Sequence, residues 1–251
     1  MATPEMIDAR QSLRGRVAVV TGVSRRIGIG FAIAARLAAL GADLFVQSFA
    51  SFDASQPWGA DADGILSLLA ELRDFGVRVE HLEADFTDPD APKAAIDEAI
   101  RSFGHVDILV ANHAYSTSGT LEELTAAQID AHLQVNVRGS LLLAQAFAAH
   151  HDGRLGGRVV LMTSGQHLHP MPSELAYIAS KGALHQLTAS LAAHLAPRGI
   201  TVNTVNPGAT DTGYASPEVY ASVRDAAPQK RWGQPEDAAR LIGWQPMTLA
   251  G

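Results

Sequence analysis

Short apolar runs without polar alternation recur along this chain, and longer stretches with helical spacing separate them. RVAVVT at 16–21, DLFVQS at 43–48, residues 78–84, DILVA at 107–111, RVVLMT at 158–163 and residues 200–206 are the strand candidates. Residues 27–40, 61–75, 91–103, 121–150, 173–195 and 235–243 are the helix candidates, with an interruption expected near Gly139 in the longest. Gly41, Gly76 and Gly104 each stand where a helix should stop. A strand with one face in water alternates apolar and polar residues; runs that are apolar throughout are buried on both faces. Strands joined through helices run parallel with right-handed crossovers. The pattern predicts an α/β chain built on one doubly wound parallel sheet with helices on both faces, in a single domain over 1–251.

Composition narrows the function classes. With 47% hydrophobic and 18% charged residues, the 251-residue chain can bury a large core and is not a disordered polyelectrolyte. It has no cysteine, which excludes disulfides, thiolate metal sites and Cys nucleophiles and fits a reducing compartment. A net charge of −7 argues against a nucleic-acid partner. Residues 1–14 carry Glu5 and Asp8 and no apolar run, so they read as an extension and not a signal peptide. No stretch approaches the ~18 apolar residues of a membrane span, and a cytoplasmic location without a membrane partner is expected. His167 and His169 lack a third ligand of evident spacing and read as pocket or surface residues, so no metal is expected. His150-His151 reads as a favourable charge at a helix end. Ser164 with His167 lacks the G-x-S-x-G elbow of a serine hydrolase.

TGVSRRIGIG at 21–30 follows the first strand candidate and opens a helix. Gly22 permits a tight turn, and Gly28 and Gly30 let the backbone approach a pyrophosphate at the positive end of the helix. A plain strand-to-helix turn could use the same glycines. Further along come Asn112 after the fourth strand, Asn136 in the long helix, Ser164 after the fifth, Tyr177-Ile-Ala-Ser-Lys181, and Pro207-Gly208 after the sixth. A lysine four residues after a tyrosine shares its helical face, and its ammonium favours the phenolate.

This set, in this order, resembles the short-chain dehydrogenase/reductase family of the classical type over residues 15–239, with a general likeness to 3-oxoacyl-[acyl-carrier-protein] reductases. The resemblance implies a Rossmann fold and an enzyme that interconverts a carbonyl and a secondary alcohol by hydride transfer with NAD(P). It implies Tyr177 as general acid/base, Lys181 lowering its pKa and holding the nicotinamide ribose, Ser164 polarising the substrate oxygen, and Asn136 fixing a water. Gly22, Ser24, Gly28, Ile29 and Gly30 would line the phosphates; Asp85 and Phe86 the adenine; Asn112 and Val135 the riboses; Pro207, Gly208 and Thr212 the carboxamide. No acid stands at Gln47-Ser48-Phe49, where NAD-preferring members accept the ribose 2′-OH. Arg25 and Arg26 in the loop could fork onto a 2′-phosphate, so NADP is favoured over NAD. A homo-oligomer, dimer or tetramer, is implied as well.

Three features depart from the family pattern. The glycine loop reads two residues longer than TGxxxGxG. Ala111-Asn112-His113-Ala114 stands where the family has Asn-Asn-Ala-Gly, which puts a bulky His113 where small residues are usual. After 235–243 only Trp244 to Gly251 remain, so a seventh, C-terminal strand is expected to be missing or altered, leaving the sixth at the sheet edge. Two function classes follow: an active oxidoreductase, or a nucleotide-binding module that has lost turnover; a scaffold role is a third. The substrate loops hold His113, Tyr115, Gln166, His167, Leu168, His169, Pro170, Met171 and Tyr214, with a lid over 209–230. They carry no arginine clamp for a carboxylate, and a medium-sized ketone or keto thioester is the expected substrate.

Overall fold

Each strand carries apolar side chains on both of its faces, and the computed structural model, which describes residues 12–244, shows what they meet. β1 (Val17–Thr21), β2 (Asp43–Ser48), β3 (Val79–Glu83), β4 (Ile108–Ala111), β5 (Gly157–Met162) and β6 (Ile200–Val205) form one sheet in the order β3-β2-β1-β4-β5-β6. Every pairing is parallel. Successive strand residues point to opposite faces. Ala18, Val20, Leu44 and Val46 therefore enter one core with α1 (Ile29–Ala39), α3 (Gly64–Arg73) and α9 (Pro235–Trp244). Val17, Val19, Phe45 and Leu109 enter the other with α4 (Ala91–Phe103), α6 (Ser140–His150) and α7 (Leu175–Leu195). The strand order reverses between β1 and β4, and that is where a crevice opens beyond the carboxyl ends of the strands.

Boundaries differ from the sequence reading where a side chain or a glycine sets them. The helix expected from residue 121 begins at α5 (Ala126–His132), because Thr125 and Gln128 form a reciprocal capping box. The interruption expected near Gly139 is a π-helical turn over Leu133–Gly139 inside an otherwise continuous helix. The helix expected over 61–75 starts at Gly64, whose φ of +71° turns the chain into it. α2 (Ala50–Ala54) has no counterpart in the sequence reading, since five residues are too few to show a period. The lid contains α8 (Pro217–Ala226), capped by Ser216 with proline in its first turn. Within the N-terminal extension Leu13 is buried, and its N–H donates to Leu40 O. Residues 1–11, and the 245–251 segment for which no seventh strand is expected, lie outside the described residues. Among the described residues β6 pairs with β5 alone.

Candidate active site

The glycine loop is built by steric exclusion. Gly22 adopts φ +73°, a left-handed conformation, and donates its N–H to Gln47 Oε1 at 3.1 Å. A Cβ on Gly30 would sit 2.3 Å from Gly22 O and 2.7 Å from Asn112 Nδ2, so the first turn of α1 lies flat against the end of β1. Gly28 is the N-cap and offers no side chain to the first amides of α1, whose first turn carries no acid. Those N–H groups remain available to an anion. Gly30→Ala should cost about 2–3 kcal/mol, roughly 5–10 °C in Tm. Gly182→Ala in α7, where a Cβ meets nothing within 4 Å, should be neutral or stabilising. Thermal unfolding of the two variants checks the contrast.

Beside this loop lies a cavity of about 400 Å³. Its wall includes Gly22, Ser24, Arg25, Gly28, Ile29, Gly30, Asp85, Phe86, Asn112, Val135 and Thr212. The sequence reading missed part of the same wall, Phe52, Asp53 and Trp58 on the segment after β2; Tyr115 after β4, expected in a substrate loop, lines it as well. Phe52 and Tyr115 meet across it, ring centroids 5.4 Å apart. A dinucleotide fits this arrangement on three counts: a cradle that a Cβ would fill, uncapped helix amides, and the switch-point crevice.

The two loop arginines part ways. Arg25 lines the cavity, lies over Trp58 at 5.5 Å, pairs with Asp53 at 3.2 Å and donates to Thr212 O at 3.0 Å. Burial pulls its pKa down, against the field of Asp53. Arg26, read beforehand as a cofactor ligand, is not part of the wall. Its guanidinium donates to Asp63, Glu71 and Ser67, and its backbone N–H to Asp61. Three carboxylates supplied by residues 61–71 hold it away from the cavity, and it ties that segment to the loop.

His113 is accommodated without disturbance. Its Nε2 lies 3.1 Å from Val135 O and its Nδ1 2.7 Å from Thr21 Oγ1. Because the carbonyl can only accept, Nε2 carries the proton and Nδ1 accepts from the threonine hydroxyl. Thr21 Oγ1 in turn accepts the N–H groups of Asn112 and His113. Phe86 packs edge-on at 4.6 Å. Burial, with the charge of Lys181 adding to it, pushes the imidazole down to about 3, so it is neutral.

Past the cavity, the carboxyl end of β5 and the first turns of α7 bring Ser164, Tyr177 and Lys181 together. Lys181 is buried, donates from Nζ to Met162 O at 2.9 Å, and lies 5.6 Å from the Tyr177 ring centroid. Burial drives its pKa down to about 8. Sequence reasoning expected the lysine to lower the phenol. Instead burial pushes Tyr177 up to about 12; the Ser164 hydroxyl opposes this, while Glu174 and Tyr214 add to it. Desolvation of the phenol therefore outweighs everything else acting on it in the free site. Asn136 sits in the π-helical turn with its amide fully engaged. Nδ2 donates to Tyr115 O and Ser180 Oγ, both at 2.9 Å, and Oδ1 accepts from Tyr115 N at 2.7 Å. It clasps the loop after β4 to α7. Pro207 and Gly208 form the turn after β6, outside the cavity wall.

His132, also missed, is buried beside Tyr115 and Tyr177, with ring centroids at 4.9 and 6.4 Å. Its Nδ1 faces Gln128 O at 2.7 Å and its Nε2 accepts from Thr117 N at 3.2 Å, so it braces the wall behind the phenol. A buried histidine leaves no local sequence signal that separates it from an exposed one. Of the loop histidines, His167 stacks on His185, 4.9 Å between centroids. His150 pairs with Asp97 at 2.9 Å. No helix among the described residues is long and apolar enough to cross a membrane.

A parallel sheet reversing at β1/β4, a glycine cradle there and a Ser/Tyr/Lys group at the next crossover define a dinucleotide-type oxidoreductase. The chain belongs to the short-chain dehydrogenase family: the family model for short chain dehydrogenase matches residues 16–220. An uncharacterized oxidoreductase, YjdA, of Bacillus subtilis is 37% identical over 231 residues, which cover 91% of this chain and 88% of that protein. A cyclohexanol dehydrogenase of Rhodococcus sp. is 34% identical, covering 92% and 88%. Among solved structures, a short chain dehydrogenase from Burkholderia cenocepacia in complex with NADP superposes with a TM-score of 0.84 at 37% identity, covering 95% of this chain and 94% of that one.

Proposed function

We propose that this chain is an NADP(H)-dependent oxidoreductase that interconverts a carbonyl compound and a secondary alcohol, with Tyr177 as general acid and base. One arrangement carries the reading: a half-buried phenol with a buried ammonium one helical turn away and a serine hydroxyl beside it, next to a glycine-built cavity. The kinship with a protein named cyclohexanol dehydrogenase favours a neutral secondary alcohol, and the NADP complex of the Burkholderia relative favours that cofactor.

A nicotinamide dinucleotide bound along the cavity supplies the hydride. In the reducing direction Tyr177 Oη gives its proton to the substrate oxygen as negative charge develops there, and Ser164 Oγ–H donates to the same oxygen. With a pKa near 12 the phenol is protonated and ready as an acid. Lys181, anchored on Met162 O, keeps a positive charge below the ring and stabilises the phenolate left behind. Asn136 and His132 fix the Tyr115 wall against α7. Asn112, held by its Nδ2 donating to Thr21 O at 3.0 Å, keeps the crevice floor in register. Pro207, Gly208 and Thr212 stand at the same end of the sheet for contact with the carboxamide. A soluble homo-oligomer is the expected assembly.

The direct test is NADPH absorbance at 340 nm with purified protein and a panel of ketones. Loss of turnover on the whole panel overturns the reading. Cofactor choice is tested at Arg25. Arg25→Ala should raise the KM for NADPH tenfold or more, the worth of a charge-assisted phosphate contact, and leave NADH nearly unchanged. Asp53→Asn, which removes the carboxylate competing for that guanidinium, should shift the KM for NADPH the opposite way. Equal effects on both nucleotides would count against a 2′-phosphate contact.

A further inference from the structure

Two rings meet over the crevice, and the reading above gives their contact no role. The sheet runs β2-β1-β4, so the segments that follow β2 and β4 start about 10 Å apart, on either side of the glycine loop that follows β1. Phe52 in α2 and Tyr115 after β4 nevertheless touch, with centroids 5.4 Å apart and planes at 49°. That is the close packing of an aromatic pair, and no ribose or base fits between the rings. Both line the cavity beside the glycine loop, so their contact bridges it.

The two sides of the bridge are held differently. Tyr115 is a fixed post: Asn136 accepts from its N–H and donates to its carbonyl, and His132 packs on its ring at 4.9 Å. Phe52 rides on a lightly anchored segment, for no residue of α2 is buried. Phe49 N donates to Ser24 Oγ at 3.3 Å, Ala50 N donates to Glu83 Oε1 at 2.8 Å, and Asp53 pairs with Arg25 at 3.2 Å. The chain leaves through Gly59 at φ +72°, where a Cβ would meet nothing within 4 Å. A five-residue helix without a buried side chain opens locally at low cost.

Resting on the nucleotide site of the oxidoreductase reading, we propose that Phe52 and Tyr115 form a gate for the dinucleotide. α2 swings away from the Tyr115 post to admit NADP(H) and closes again once the nucleotide lies against the glycine loop. The pair is in contact in the free protein, so entry requires that it part. It re-forms over the occupied crevice, so release requires the same. The contact therefore slows entry and exit together and leaves the binding equilibrium almost unchanged. A ring that only touched the nucleotide would slow exit alone.

The test uses the full chain and involves no turnover. Stopped-flow mixing with NADPH, read by the nucleotide's own fluorescence, gives the association rate constant; a chase with excess oxidised NADP gives the release rate constant. In Phe52→Ala both should rise about three- to tenfold, the worth of one aromatic pair, with Kd within twofold of the wild type. Tyr115→Ala should act in the same way. The double variant should go no further than either alone, since all three remove one contact. Phe52→Tyr and Tyr115→Phe keep the ring pair and should keep the wild-type rates. Because Phe52→Ala removes no buried side chain, it reads the gate even where Tyr115→Ala weakens the fold. Unchanged rates in Phe52→Ala overturn the gate alone. So does faster release at an unchanged association rate, which would make the rings ordinary ligand contacts. No NADPH binding to the wild type overturns the oxidoreductase reading and the gate together.

Discussion

Tyr177→Phe lowers kcat for ketone reduction about 10²–10⁴-fold, the usual worth of a positioned general acid, while NADPH still binds. The ring of the variant fills the same space against His132 and above Lys181, so packing changes little. What disappears is the phenolic proton beside Ser164. Retained nucleotide affinity with lost turnover separates the chemistry from the cradle, since Gly22, Gly28 and Gly30 do not touch the substituted atom. The same site sets a pH limb. Lys181, at about 8, loses its proton as pH rises through that value, and with it goes the positive charge that stabilises the phenolate. The kcat/KM for reduction should therefore hold below about pH 8 and fall above it. Lys181→Met should be poorly active at every pH and lack that limb. A variant Tyr177→Phe that turns over normally would remove the phenol from the mechanism.

Acid should weaken this fold through His113. The imidazole sits at about 3 in the folded protein and near 6.5 when the chain is unfolded. Between those values the unfolded chain binds a proton that the native state refuses. The stabilisation from the buried neutral ring is thus complete above about pH 6.5 and is lost as pH falls toward 3. The slope is about 1.4 kcal/mol per pH unit and the total is about 5 kcal/mol. In urea titrations the wild type should lose about 2 kcal/mol from this group between pH 7 and pH 5. His113→Gln should be less stable at pH 7 by roughly 1–3 kcal/mol, because Thr21 and Val135 lose well-aligned partners. It should also show a correspondingly flatter pH dependence. An unchanged slope in the variant would assign the acid sensitivity to other groups. The prediction bears on function as well as on folding. His113 joins the end of β1 to the π-helical turn that carries Asn136, so the unusual Asn-His-Ala segment braces the site.

Some parts of the molecule were legible in the residues and others were not. β1, β2, β4 and β5 could be read because a strand buried on both faces leaves a continuous apolar run, a signal confined to a few neighbours, whereas β3 (VEHLE) and β6 (ITVNTV) are broken by polar residues and stood out by their place between helices. Tyr177 and Lys181 could be paired because four residues is one helical turn. α2 is too short to show a period, and its Phe52 and Asp53 line the cavity only because the segment after β2 folds back over the glycine loop. The fate of the two loop arginines was equally hidden. Arg25 and Arg26 are adjacent and chemically identical, yet one faces the cavity and the other is captured by acids 35 to 45 residues away.

The order and type of the elements, the glycines that admit no side chain and the spacing of serine, tyrosine and lysine were determined by the chain itself, since each rests on local periodicity or sterics. The ionisation of the site was decided only by the tertiary structure. Tyr177 and Glu174 are raised, and Lys181 and His113 are lowered, by burial among residues distant in sequence. Desolvation depends on what surrounds a group in space, and nothing in the order of residues records it.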